Sequence, residues 1–152
     1  MLQQFWDANH KENEEVEEWG PANVFTNHWD VPTYFVDTKN FRYPHGGGKL
    51  TWEVETETKT ILENWTGQKL KLTSLYGIRV YKEGAVLSPH VDRHPLISSA
   101  IINVAQDVDE AWPIEVIGHD GKAYNITMEP GDMILYESHS IIHGKYLHLS
   151  SY

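Results

Sequence analysis

The side chains of this sequence best able to do chemistry are imidazoles and carboxylates. The chain carries nine histidines, 22 acidic residues and no cysteine. Thiolate nucleophiles, disulfides and cysteine-held zinc are therefore excluded together, and a metal held by nitrogen and oxygen is the chemistry left to look for. Two H-x-D triplets occur, His28-Trp29-Asp30 and His90-Val91-Asp92. So short a motif recurs by chance, and its surroundings must choose between them.

On an extended segment His90 and Asp92 leave by the same face and can reach one ion together. A third ligand has to come from another strand. His143 is the candidate: it follows the Pro130-Gly131-Asp132 turn and the apolar run Met133-Ile134-Leu135-Tyr136, where a new strand should begin. Two histidines and one carboxylate on one side of a metal leave the opposite side open, which suits non-haem iron(II). His28-Trp29-Asp30 has no comparable distal histidine and reads as structural, with Asp30 capping a turn before Pro32.

The elements that must position these ligands can be read from pattern. At 152 residues, with 40% hydrophobic and 12% aromatic side chains, the chain should fold as one domain with an ordinary core. Its formal charge of −10 argues against a nucleic-acid partner, since no basic patch offsets the repulsion from phosphate. Neither a basic leader nor a run of about 18 apolar residues is present, so the expectation is a soluble chain without a recognisable signal peptide or membrane span. Compartment and oligomeric state are left open.

Residues 11–19 hold five glutamates around Val16 and read as a solvated face or helix edge. Residues 23–29 and 33–37 read as short strands, and Leu50, Val54, Ile61 and Trp65 repeat at helical spacing over 49–65, ending near Gly67. From Gln68 the pattern becomes all β. Strands are expected at 69–81, 96–105, 113–118, 123–128, 132–136 and 143–149, with Asp120-Gly121 and Glu129-Pro130-Gly131-Asp132 as turns. Many short strands in a chain of this size predict a sandwich or a barrel-like jelly roll.

Tyr76-Gly77-Ile78-Arg79-Val80-Tyr81, Ser88-Pro89-His90-Val91-Asp92, the strand at 98–104, Glu129 to Tyr136 and His143-Gly144 together resemble the catalytic core of iron(II)/2-oxoglutarate dioxygenases, with the prolyl 4-hydroxylase-like enzymes as the nearest group. The resemblance spans about residues 74–149. It implies a mostly β, α+β chain: a double-stranded β-helix (jelly roll) at 68–152, flanked by N-terminal strands and a helix at 1–67, the whole forming a single dioxygenase-like domain. It also implies His90, Asp92 and His143 as iron ligands and Tyr81 as a contact to 2-oxoglutarate. The implied cofactors are Fe(II), 2-oxoglutarate and dioxygen, with ascorbate as a compatible reductant. The implied reaction is hydroxylation of a protein, peptide or small-molecule substrate, a side chain such as proline foremost, coupled to decarboxylation of 2-oxoglutarate to succinate.

The family places a lysine or arginine nine or ten positions after the distal histidine, paired with the far carboxylate of 2-oxoglutarate. Here the ninth position is Tyr152, the last residue given, so the final core strand is expected to be short or missing. Lys145 lies too close to His143 to match. Three expectations are then open: Arg79, which shares a strand face with Tyr81, or Lys82 is the substitute cation; the chain is a fragment or shortened product; or 2-oxoglutarate is bound poorly. A surface role is the simpler reading of Arg79. The competing expectations are a shortened non-catalytic jelly roll and a cupin-like metal protein using the same ligands. His94 and His148 read as surface or ligand-supporting residues; His139 and His143, four apart, would align as zinc ligands only on a helix, which Pro130-Gly131 and the apolar strand before Ser138 argue against. Arg93 and Asn103 read as pocket-mouth or packing residues, and Trp29 and Trp112 as core or edge aromatics.

Overall fold

Residues 48–66 need tertiary packing on only one stripe to be helical, and they form α2 (Gly48–Thr66), one residue longer at each end than the pattern predicts. The computed structural model describes residues 1–18 and 30–145. The expected strand at 23–29, His28, Trp29 and His148 lie outside the described residues. Of the four apolar positions whose spacing marked the helix, Leu50 is fully buried and Val54 packs beside it, whereas Ile61 and Trp65 stand exposed. The helix outruns the small core it covers, so its C-terminal half presents apolar groups to solvent.

That core is completed by a helix absent from the sequence-based expectation. Leu2, Phe5 and Trp6, spaced i, i+3, i+4, form one face of α1 (Leu2–Asn9). Phe5 is fully buried with Val36, Leu50 and Ile78. Asn9 is buried as well, and its amide donates to the carbonyls of Phe5 (2.7 Å) and Pro44 (2.9 Å), which ties α1 to the turn ahead of α2.

Among the described residues the chain is otherwise mostly β-sheet, in an arrangement compatible with a β-sandwich. A three-stranded antiparallel sheet runs β1 (Glu15–Val16), β2 (Tyr34–Val36), β3 (Ile78–Val80). It draws strands from both sides of Gly67, so hydrogen bonding crosses the expected break between flank and β core. Residues 69–77, expected as strand, precede the ladder: 71–74 are exposed, and Gly77 sits at φ +130° with its α-carbon against the Phe35 ring. A Cβ there would come within 2.6 Å of that ring.

The remaining strands are β4 (Leu87–His90), β5 (Ser99–Ile102), β6 (Ile114–Ile117), β7 (Ala123–Ile126), β8 (Met133–Tyr136) and β9 (Ile142–Lys145). One sheet is ordered β4-β9-β6-β7 and the other pairs β5 with β8. The antiparallel pairs are nested, β4 with β9 outermost, then β5 with β8, then the β6–β7 hairpin. The hairpin turns at Asp120-Gly121 as expected: Gly121 takes φ +74°, and the Asp120 carboxylate accepts the Lys122 N–H at 3.0 Å. Asn103 supports the 129–132 turn by exchanging backbone bonds with Gly131 (2.8 Å) and Asp132 (3.0 Å) and donating its amide to the Met128 carbonyl. No helix among the described residues is long and apolar enough to cross a membrane.

The expectation for 11–19 is corrected at one residue. Glu17 is 4% exposed, because β1 pairing carries it under the sheet rather than leaving it with its solvated neighbours. There it accepts a two-pronged hydrogen bond from Arg79, 2.8 Å at each oxygen, together with bonds from the Thr33 hydroxyl (2.6 Å) and the Tyr76 hydroxyl. Burial pushes the Glu17 carboxyl up, but Arg79, Thr33 and Tyr76 outweigh it and hold the group below its ordinary value of 4.5. Burial and the nearby Glu17 push the Tyr76 hydroxyl up to about 12.

Removing the carboxylate while leaving Arg79 in place strands a largely buried charge. Glu17→Ala should therefore cost about 3–5 kcal/mol in chemical denaturation, far more than Ala at its exposed neighbour Glu15. Because the folded-state pKa of Glu17 is depressed, its stabilisation is complete above the unfolded value near 4.5 and is lost as pH falls through the folded value. The wild-type melting temperature should fall more steeply with acid below about pH 4.5 than that of Glu17→Gln, which lacks this titration.

Candidate metal centre

Antiparallel pairing of β4 with β9 sets His90 directly across from His143. The two rings lie 4.4 Å apart, centroid to centroid, at 49°. Each ring is oriented by its own backbone: Nδ1 of His90 meets the Ser88 carbonyl at 2.7 Å, and Nδ1 of His143 meets that of Ile141 at 2.9 Å. A carbonyl can only accept, so each Nδ1 carries a proton and Nε2 is the ring nitrogen left to face an ion. Those Nε2 atoms stand 3.7 Å (His90) and 3.9 Å (His143) from Oδ1 of Asp92.

Asp92 arrives differently from expectation. Strand β4 ends at His90, and Asp92 lies just beyond it, outside the ladder. Its N–H donates to the Ser138 carbonyl at 2.7 Å, and this bond turns the carboxylate toward the histidines. One ligand atom from each of the three residues falls within 4.8 Å of the others. Donors about 2.1 Å from a shared ion stand roughly 3.0–3.4 Å apart, so small side-chain movements close the site on a metal. The donor set, two imidazoles presenting Nε2 and one carboxylate, fits a divalent transition ion.

Exposure of the ligands rises from 3% at the His143 side chain through 12% at His90 to 21% at Asp92, so the group is closed behind His143 and opens toward Asp92. Burial lowers the His143 pKa from 6.5; the backbone bond to Ile141 is the largest opposing effect, His90 adds to the lowering and Asp92 opposes it least. That favours the neutral, ligating form. Tyr136 packs edge-on against His143 at 4.6 Å. Burial and the Asp92 charge keep its phenol protonated, and it exchanges a hydrogen bond with Ser99.

Beyond His143, strand alternation puts Lys145 on the same face of β9. Its ammonium donates to the Trp112 carbonyl at 2.9 Å, lies 4.4 Å over the Trp112 ring and 5.8 Å from the Tyr81 ring, and is pushed down to about 8 by burial, with Glu115 opposing. Tyr81 meets Trp112 edge-on at 5.5 Å, is raised in pKa by burial and bonds to Arg79. Tyr81, Trp112 and Lys145 thus form one cluster beside the histidine ligands.

Arg79 does adjoin Tyr81, as its strand position predicts, but it is no surface arginine: its charge is held by Glu17. Lys82 points elsewhere, to Glu14 at 2.7 Å. His94 and His139 contribute nothing to the ligand group; they pack on one another at 3.8 Å, and Nδ1 of His139 donates to the Asp92 carbonyl at 2.8 Å. Arg93 is exposed. Ser99, Ser138 and Tyr136 escaped residue-by-residue reading because hydroxyls carry no spacing signature. Lys145 did carry one, its i+2 relation to His143.

Compared with protein-family models, curated proteins and solved structures, the chain finds no match.

Titration with Co(II) should produce visible d–d absorption at one equivalent. Asp92→Ala and His143→Ala should each weaken binding by at least two orders of magnitude, because two remaining donors hold such ions poorly. His10→Ala, whose ring bonds to the Trp6 carbonyl away from this group, should bind as the wild type does.

Proposed function

We propose that the chain is an iron(II)- and 2-oxoglutarate-dependent dioxygenase of the prolyl 4-hydroxylase-like kind, hydroxylating a protein or peptide side chain such as proline. The observation that carries this reading is the His90–Asp92–His143 group, with both Nε2 atoms and one carboxylate oxygen converging from one side. The nested strand pairing supports a double-stranded β-helix as its frame: a long two-stranded ribbon, β4-β5-β6 against β9-β8-β7, rolled so that alternate pairs fall in different sheets. Such a roll brings its outermost pair, β4 and β9, to the same end, and these two strands carry the histidines.

When bound, iron supplies activation of dioxygen and oxidative decarboxylation of the oxo acid. The chain's own residues do the rest. His90, Asp92 and His143 hold the ion and leave positions free for co-substrate and oxygen. Tyr81 and Lys145 offer a phenol O–H and an ammonium to the far carboxylate of 2-oxoglutarate, within an aromatic wall that limits water. Arg79 supports that end indirectly, orienting Tyr81 while its own charge is spent on Glu17. Tyr136 shields His143 and keeps a neutral hydroxyl near the carboxylate ligand.

Anaerobic protein with Fe(II) and 2-oxoglutarate should show the weak visible charge-transfer band of a bidentate oxo-acid chelate, and aerobic protein should release succinate. A folded wild-type protein without the band, or an unchanged band in His143→Ala, would overturn the reading. Lys145→Ala should keep the metal but lose about 2 kcal/mol or more of co-substrate binding, seen as a rise in KM for 2-oxoglutarate on the order of thirtyfold or more.

A further inference from the structure

Asp92 is the one ligand that no strand holds, yet it is the most heavily tethered. The segment between β8 and β9 grips its backbone twice: the Ser138 carbonyl takes the Asp92 N–H at 2.7 Å, and the His139 ring gives its Nδ1–H to the Asp92 carbonyl at 2.8 Å. Ser138 is fully buried, and its hydroxyl donates to the Leu96 carbonyl at 3.2 Å while accepting from Ser99 at 2.8 Å. Ser99 Oγ also lies 3.4 Å from Oδ2 of Asp92, the oxygen facing away from the histidines. His94 backs the His139 ring at 3.8 Å. The gripping segment is itself a closed turn, with the Ser140 and Ile141 N–H groups bonded to the Glu137 carbonyl at 3.0 and 2.9 Å.

We infer that His139 is a positioning residue for the metal centre: the 138–139 turn clamps the Asp92 backbone so that Oδ1 faces the two imidazoles before any ion arrives. The inference rests on the metal reading above and adds what sets its affinity. Because the same turn leads into β9, four residues before His143, the clamp fixes two of the three ligands relative to each other. Without it Asp92, lying past the end of β4, is free to rotate its carboxylate toward the open side. Groups in this supporting position typically change metal affinity 10–100-fold.

Co(II) titrations of wild type, His139→Ala and His139→Asn, with melting curves of the metal-free proteins, test it. Asn carries an N–H donor close to where Nδ1 stands. His139→Ala should bind Co(II) about 10–100-fold more weakly and with an altered d–d band, reporting changed geometry, while His139→Asn recovers most of the affinity and the wild-type band. Metal-free melting temperatures of the two variants should agree, which a merely structural role would not produce. Wild-type affinity and band in His139→Ala, or no recovery in His139→Asn, overturns the inference while leaving the metal reading intact. A wild-type protein that binds no Co(II) removes both. If His139→Ala does not fold, His139→Asn and Ser99→Ala decide: near-wild-type affinity in the first with weakened binding in the second sustains the clamp, and the reverse pattern overturns it.

Discussion

Pairing of β4 with β9 in a register that sets His90 opposite His143 is the constraint on which the rest of the molecule turns. A shift of one residue would carry one imidazole to the other face of the sheet and dissolve the site. The register is held by two neighbours rather than by the pair alone. β6 lies on the far side of β9 and sets Val116 against His143, and the β6–β7 hairpin fixes β6 through its tight Asp120-Gly121 turn. The irregularity in β4 between Leu87 and His90 re-aims the strand end at the point where the carboxylate ligand must leave it.

Electrostatics follows from this frame. An acidic chain concentrates its few interior cations beside the site, and each is answered differently. Arg79 is neutralised by Glu17 at the edge of the three-stranded sheet, which locks the N-terminal segment onto the β core through a contact spanning 62 residues. Lys145 has aromatic faces and a carbonyl for company, an environment that disfavours its charge and leaves an anionic ligand the most to gain by pairing with it. The two cations flank Tyr81, so this one side chain links the structural ion pair to the cluster beside the His90–Asp92–His143 group.

Some of this was legible before folding. Absence of cysteine and the types of His90, Asp92 and His143 named the donor chemistry, and helical spacing located α2 to within a residue at each end. Turns were equally readable, because Asp120-Gly121 and Pro130-Gly131 act through local backbone preference. Legibility failed where long-range pairing overrides pattern. Glu17 looks like its four acidic neighbours and differs only in what lies above it. Residues 69–77 alternate like a strand, but no strand among the described residues pairs with them. The α1 stripe at Leu2, Phe5 and Trp6 was too short to stand out, and it becomes a helix because Val36, Leu50 and Ile78 cover Phe5.

The sequence by itself therefore determined which atoms could bind a metal, which segments could bend and which stretch would be helical, since these depend on side-chain type and on preferences acting over a few residues. Only the tertiary structure decided that Glu17 would answer Arg79, that Lys145 would enter the face of His143 beside Tyr81, and that Ser138 and His139 would aim Asp92. Each of those outcomes joins residues tens of positions apart. Nothing local distinguishes a carboxylate, lysine or histidine so placed from one left in water, because burial and strand register alone assign the partner.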